Sequence, residues 1–177
     1  MNKIQIVVGA LAVAATASVM AQGQFVVSTA SGSTLKPRIF GVDGTTAIGA
    51  GHLIEVLVNG TLNGSAFAPL TGGNAGLFAR TSAGGGLTAT VAGAPSGPVQ
   101  ITVRAWDTST GATFASALTS GSVTFTHTLS DSTLVPPGTP TSLANTMPSF
   151  KLSVVPEPST YALAALGLGG LLLFRRK

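Results

Sequence analysis

The chain has 177 residues, nine Lys or Arg, five Asp or Glu, and no Cys. Only 8% of it is charged and 45% is hydrophobic, so a core can be built, but no disulfide can hold it together. The formal net charge of +4 comes mainly from Lys3, Arg175, Arg176 and Lys177 at the two ends; from Gln22 to Val155 five basic residues face four acidic ones, which leaves +1 and no basic stripe for nucleic acid.

Met1-Asn2-Lys3 gives a short positive start. Ile4 to Val19 is apolar or small apart from Gln5, Thr16 and Ser18, and Val19-Met20-Ala21 places small or aliphatic residues at the −3 and −1 positions of a cleavage site. This order of regions predicts a secretory signal peptide over residues 1–21, cut between Ala21 and Gln22 by signal peptidase once the secretion machinery has engaged it.

The middle of the chain, residues 22–154, reads as one exported domain. "HLIEVLVNG" from His52 to Gly60 predicts a strand that ends in an Asn-Gly turn. Ile54, Val56 and Val58 share one face and Leu53, Glu55 and Leu57 the other, as in a central strand. "VQITVRAWD" sets Val99, Ile101, Val103 and Ala105 against Gln100, Thr102, Arg104 and Trp106. "SVTFTHTLS" sets Val123, Phe125, His127 and Leu129 against Thr124, Thr126 and Thr128, and "SFKLSVV" sets Phe150, Leu152 and Val154 against Lys151 and Ser153. Weaker candidates are Gln24 to Ser28, Arg38 to Val42, Gly76 to Arg80 and Leu87 to Val91. Thr133 to Met147, with Pro136, Pro137, Gly138 and Pro140, reads as a long loop. About eight short strands separated by Gly and Pro predict an all-β fold: a single antiparallel β-sandwich, Ig-like or jelly-roll-like, flanked by the signal-peptide helix and a C-terminal transmembrane helix.

The chemistry-bearing residues are few. His127 sits on the apolar face of its strand, where a satisfied core histidine is the expectation; no second His, Cys or carboxylate lies at metal-ligand spacing. Asp43, Asp107 and Asp131 read as turn formers and Glu55 as a mid-strand residue, which leaves no acid–base pair for a hydrolase. No catalytic residue, metal ligand or cofactor motif is assigned. "RAWDTSTGATFASA" is the one local motif with character. Its Trp106 and Phe114 either seal one end of the core or stack on a sugar, and Gly111 has the freedom for a left-handed turn.

The chain closes with "VVPEPSTYALAALGLGGLLLFRRK". Pro156 and Pro158 favour an extended segment around Glu157. The uncharged run that follows, taken as a transmembrane helix over residues 160–174, spans roughly 24 Å as a helix from Ser159, short of the bilayer core of about 30 Å. Arg175, Arg176 and Lys177 then form a basic anchor on the cytoplasmic side. Val155-Pro156-Glu157-Pro158-Ser159, an apolar helix and a basic end together resemble the PEP-CTERM sorting signal, here residues 155–177. The resemblance implies an exosortase as partner, a membrane-embedded cysteine protease and transpeptidase-like enzyme. It also implies a Gram-negative bacterium and export across the inner membrane. The destination is then the cell surface or extracellular matrix, with membrane anchoring through the helix on the way. The expectation for the whole chain is a non-catalytic envelope or matrix protein; a carbohydrate-binding module for exopolysaccharide, built around Trp106 and Phe114, is the alternative, and a hydrolase the least favoured class.

Overall fold

Alternating apolar side chains need a second surface to cover them, and this chain supplies it by curling one sheet around its own inner face. The computed structural model describes residues 22–30, 36–81, 86–94, 96–156 and Leu166. The expected signal peptide and the expected transmembrane run, Leu166 apart, fall outside the described residues. Among the described residues no helix is long and apolar enough to cross a membrane.

Among the described residues nine strands follow one another: β1 (Gly23–Val26), β2 (Ile39–Phe40), β3 (His52–Val58), β4 (Thr61–Leu62), β5 (Thr88–Val91), β6 (Gly97–Asp107), β7 (Thr119–Asp131), β8 (Phe150–Lys151) and β9 (Ser153–Val154). Seven of them form one sheet in the order β4-β3-β6-β7-β1-β5, with β9 also paired to β7; β2 and β8 form a separate parallel pair. The all-β, antiparallel expectation holds for the main sheet. The two facing sheets expected of a sandwich are replaced by this single curled sheet, because β7 is long enough to serve both halves. It pairs with β6 from Ser120 to Leu129 and with β1 at Ser130 and Asp131.

The inner side of the curl is one core. β3 contributes Ile54, Val56 and Val58, and β6 contributes Val99, Ile101, Val103 and Ala105. Phe25, Val27 and Ala89 close it from the β1–β5 half. Asn59 and Gly60 both have positive φ, 49° and 81°, and they turn β3 tightly back into β4 as the Asn-Gly pair predicted. β3 has partners on both edges, β6 on one and β4 on the other. It lies one strand from the end of the sheet.

Three segments differ from their sequence reading. Gly76 to Arg80 forms a single bridge, Ser28 to Ala79, in place of a strand. Arg38 to Val42 contributes only Ile39 and Phe40, paired to β8 outside the main sheet. The loop from Thr133 to Met147 holds a short 3-10 turn at Leu143–Asn145 and sends Leu143, Ala144 and Met147 into buried positions. It crosses the free edge of β7 there and so finishes the core.

The two ends of the curled sheet approach each other, and polar side chains bind them. Asn63, just after β4, donates from Nδ2 to the carbonyl of Thr90 in β5 at 3.3 Å. Arg80 is buried beside it, donating from Nη1 to both the backbone oxygen and Oδ1 of Asn63, at 2.7 and 2.9 Å, and from Nε to Gly86 at 2.7 Å. Burial pushes this guanidinium below its usual range, and among the described residues it donates to neutral oxygens. Replacing Arg80 by Met leaves those acceptors unsatisfied at the seam. Arg80→Met is expected to lose about 1–3 kcal/mol, read as a lower denaturant midpoint of the exported chain; an unchanged midpoint would show that the seam does not depend on this side chain.

Candidate functional site

Three places were candidates for function: the aromatic corner at Trp106, the buried histidine, and the point where the chain leaves the sheet for its C-terminal tail.

The outer face of β3, β6 and β7 is a polar grid. Gln100 Nε2 donates to Thr126 Oγ1 at 3.0 Å, Thr102 and Thr124 share a hydroxyl hydrogen bond of 2.9 Å, and Arg104 Nη2 meets Glu55 Oε2 at 2.9 Å. These are directly opposed pairs across antiparallel strands, the geometry in which side chains stabilise a sheet. Trp106 continues this row, yet it is only 2% exposed. The connection from β6 to β7 folds back over it. Phe114 meets its ring edge-on at 6.4 Å, and the Arg104 guanidinium lies 4.8 Å from the centre of the Phe114 ring. Gly111 makes this return possible through its size. A Cβ there would sit 2.5 Å from the Ala117 backbone, and its φ is not in the left-handed region that the sequence reading allowed.

Of the two candidate ligand contacts, Trp106 therefore offers no open ring face, and Phe114 is half-buried with a cation over it. Trp106 Nε1 and Arg104 Nε are both buried in this corner and have no hydrogen-bond partner among the described residues. Trp106 is the chain's sole tryptophan, so it reports on the corner directly. Phe114→Ala is expected to uncover it: the emission maximum shifts to longer wavelength and quenching by iodide rises, whereas an unchanged spectrum would mean that Phe114 does not cover the ring.

His127 is 1% exposed and bonded at both ring nitrogens, Nδ1 to Thr146 Oγ1 at 2.7 Å and Nε2 to Thr141 Oγ1 at 3.1 Å. Thr141 Oγ1 also donates to the Thr128 carbonyl. One neutral tautomer satisfies all of these. Thr146 donates to Nδ1, and Nε2–H donates to Thr141, whose own proton goes to Thr128. Phe25 packs edge-on against the imidazole at 5.9 Å. Burial holds the imidazole below its usual pKa, against a smaller opposing effect of the Thr141 backbone. The unfolded chain then binds a proton near pH 6.5 that the folded chain takes up only at lower pH, so stability falls as pH drops through that window. His127→Leu is expected to start less stable but to lose less between pH 7 and pH 5; equal losses in both proteins would contradict the assignment.

The carboxylates serve the backbone. Asp43 accepts from the Thr46 hydroxyl and from the backbone N–H groups of Thr45 and Thr46, which lower its pKa to about 2. Asp107 and Asp131 are lowered in the same way, each mainly by the hydroxyl and then the backbone N–H of the residue two places on, Ser109 and Thr133. All three are turn formers, as their sequence positions indicated. Among the described residues no group of three or more His, Cys, Asp and Glu stands together.

The third place is the exit. β9 lies on β7 with Ser153 opposite Ser120 and Val154 opposite Thr119. The Val155 N–H donates to the Leu118 carbonyl at 2.6 Å. Among the described residues Leu152 is the last buried side chain, while Ser153, Val154, Val155 and Pro156 are exposed. Of the sequence-assigned sorting residues, Val155 and Pro156 are described here; Glu157, Pro158, Ser159, Arg175, Arg176 and Lys177 lie outside the described residues, as do Val19 and Ala21. Gln22 is described, and its carbonyl accepts from the Ser132 backbone and hydroxyl.

The family described as the PEP-CTERM protein-sorting motif matches residues 154–177. The chain thus carries a PEP-CTERM sorting signal, of the kind that an exosortase recognises and that marks a protein for export and delivery to the surface. The match covers the tail and leaves the domain before it unassigned. Comparison with curated proteins and with solved structures gave no match.

Proposed function

We propose that this is a non-catalytic envelope or extracellular-matrix protein, exported behind the signal peptide at residues 1–21 and delivered to the surface of a Gram-negative bacterium when an exosortase processes its C-terminal signal. The observation that carries the reading is the sorting motif at residues 154–177, which begins at the second residue of the last strand of the folded domain. The uncharged stretch from Val56 to Ala79 supports the structural role. It includes β4, the end strand whose Thr61 and Leu62 stay exposed beside the Asn63–Thr90 contact, and uncharged edges favour association. Between β4 and β5 lies an open cleft of about 380 Å³ lined by Val58, Leu62, Asn63, Thr90, Val91 and Ala94 among others. In this reading the run at residues 160–174 holds the precursor in the inner membrane, with Arg175, Arg176 and Lys177 on the cytoplasmic side.

The test replaces Pro156, Glu157 and Pro158 by alanine. Alanine is the best helix former and proline the worst, so the change removes the extended recognition segment while the apolar run and basic end stay intact. The variant is expected to remain whole and in the membrane fraction, while the wild type loses its tail and is relocated. Fractionation and intact mass check this. The same C-terminus and location in both proteins would make the tail a plain anchor.

A further inference from the structure

The sorting motif and the folded domain overlap. The motif begins at Val154, the second residue of β9, and the next residue, Val155, is hydrogen-bonded to Leu118. No linker separates the two. Covalent geometry lets the four residues from Pro156 to Ser159 reach no further than about 14 Å. An enzyme acting on this signal at the membrane face therefore meets the domain itself against its substrate.

Enzymes that act on a backbone bond bind the chain as an extended strand and hydrogen-bond its edges. In the folded protein one edge of β9 is already used by β7, and Ser153 adds a side-chain hydrogen bond to the Ser120 carbonyl at 3.4 Å. We propose that β9 is a latch on the sorting signal, and that processing takes place from the chain in which β9 has been released from β7. This rests on the sorting reading above and adds its regulation. In the processing step one peptide bond of the signal breaks. Its acyl carbon passes to water or an amine, and its nitrogen leaves with the proton that nucleophile gives up.

The latch is built to open. The ladder is two residues long, and Ser153, Val154 and Val155 are already exposed, so release uncovers no core side chain. It stops at Leu152, which is 1% exposed and stays in the core. Such an opening is local and leaves the sheet in place. Release frees three residues, which extends the reach of the tail by about 10 Å and takes the domain out of the enzyme's way. Gly121 sets how closely the segment before the latch lies on β7. A Cβ there would meet the Lys151 carbonyl oxygen at 2.7 Å and Leu152 Cα at 3.2 Å.

The chain has no cysteine, so the latch can be locked without side reactions. Val155 and Leu118 form a hydrogen-bonded position, which makes Thr119 and Val154 a non-hydrogen-bonded pair, with Cα atoms about 4.5 Å apart and within disulfide reach. The full-length chain carrying Thr119→Cys and Val154→Cys is expressed with an exosortase, and tail removal is followed by intact mass. With the bridge formed, removal is expected to slow at least tenfold, to recover on reduction, and to be normal in either single variant. Gly121→Ala, which pushes the segment off β7, is expected to speed it. Removal from the bridged chain at the wild-type rate, or no gain from Gly121→Ala, would overturn the latch alone. A wild-type chain left whole beside active exosortase would overturn the sorting reading and the latch with it.

Discussion

The ladder between β6 and β7 is the interaction on which the rest of the molecule depends. Ten residue pairs, from Gly97 with Leu129 to Trp106 with Ser120, run without a break through the middle of the sheet. A chain with no disulfide and one described ion pair has burial and backbone pairing to rely on, and both converge here. The inner side of the ladder is the wall of the core at Ile101, Val103, Ala105 and Leu129. Its outer side is the threonine and glutamine grid. The second edge of β7 is shared out along its length. β9 takes the start, β1 takes the end, and the segment around Thr141 and Thr146 takes the middle through His127. One strand thus joins the beginning of the exported domain to its final residues.

Much of this was legible in the sequence, for identifiable reasons. β3, β6 and β7 are long enough to show a period of two, and Asn59-Gly60 is a turn signal that acts locally. Alternation, however, says which side chains face inward and nothing about whether one sheet or two will enclose them, so the curl was not readable. β4 has two residues and no period to detect. "SFKLSVV" alternates like one strand, but Leu152 divides it. Phe150 and Lys151 run parallel to β2, while Ser153 and Val154 run antiparallel to β7. Trp106 falls on the polar side of its strand by alternation. Its burial comes from the returning loop with Phe114, a tertiary contact that periodicity cannot carry.

The C-terminal sorting signal was the most readable part, because it is linear. Pro-Glu-Pro before an apolar run and a basic end needs no fold to be recognised. What the linear pattern conceals is where the domain stops. Val154 belongs to the motif and to the sheet at once, and only the pairing with Thr119 reveals it. The sorting residues are therefore presented from a strand edge, with Leu152 anchoring the chain directly behind them.

The most direct measurement is the intact mass of the protein recovered from the cell surface. Processing at both ends predicts a single species that starts at Gln22 and lacks Arg175, Arg176 and Lys177. A species still ending at Lys177 and found in the inner membrane would contradict the account.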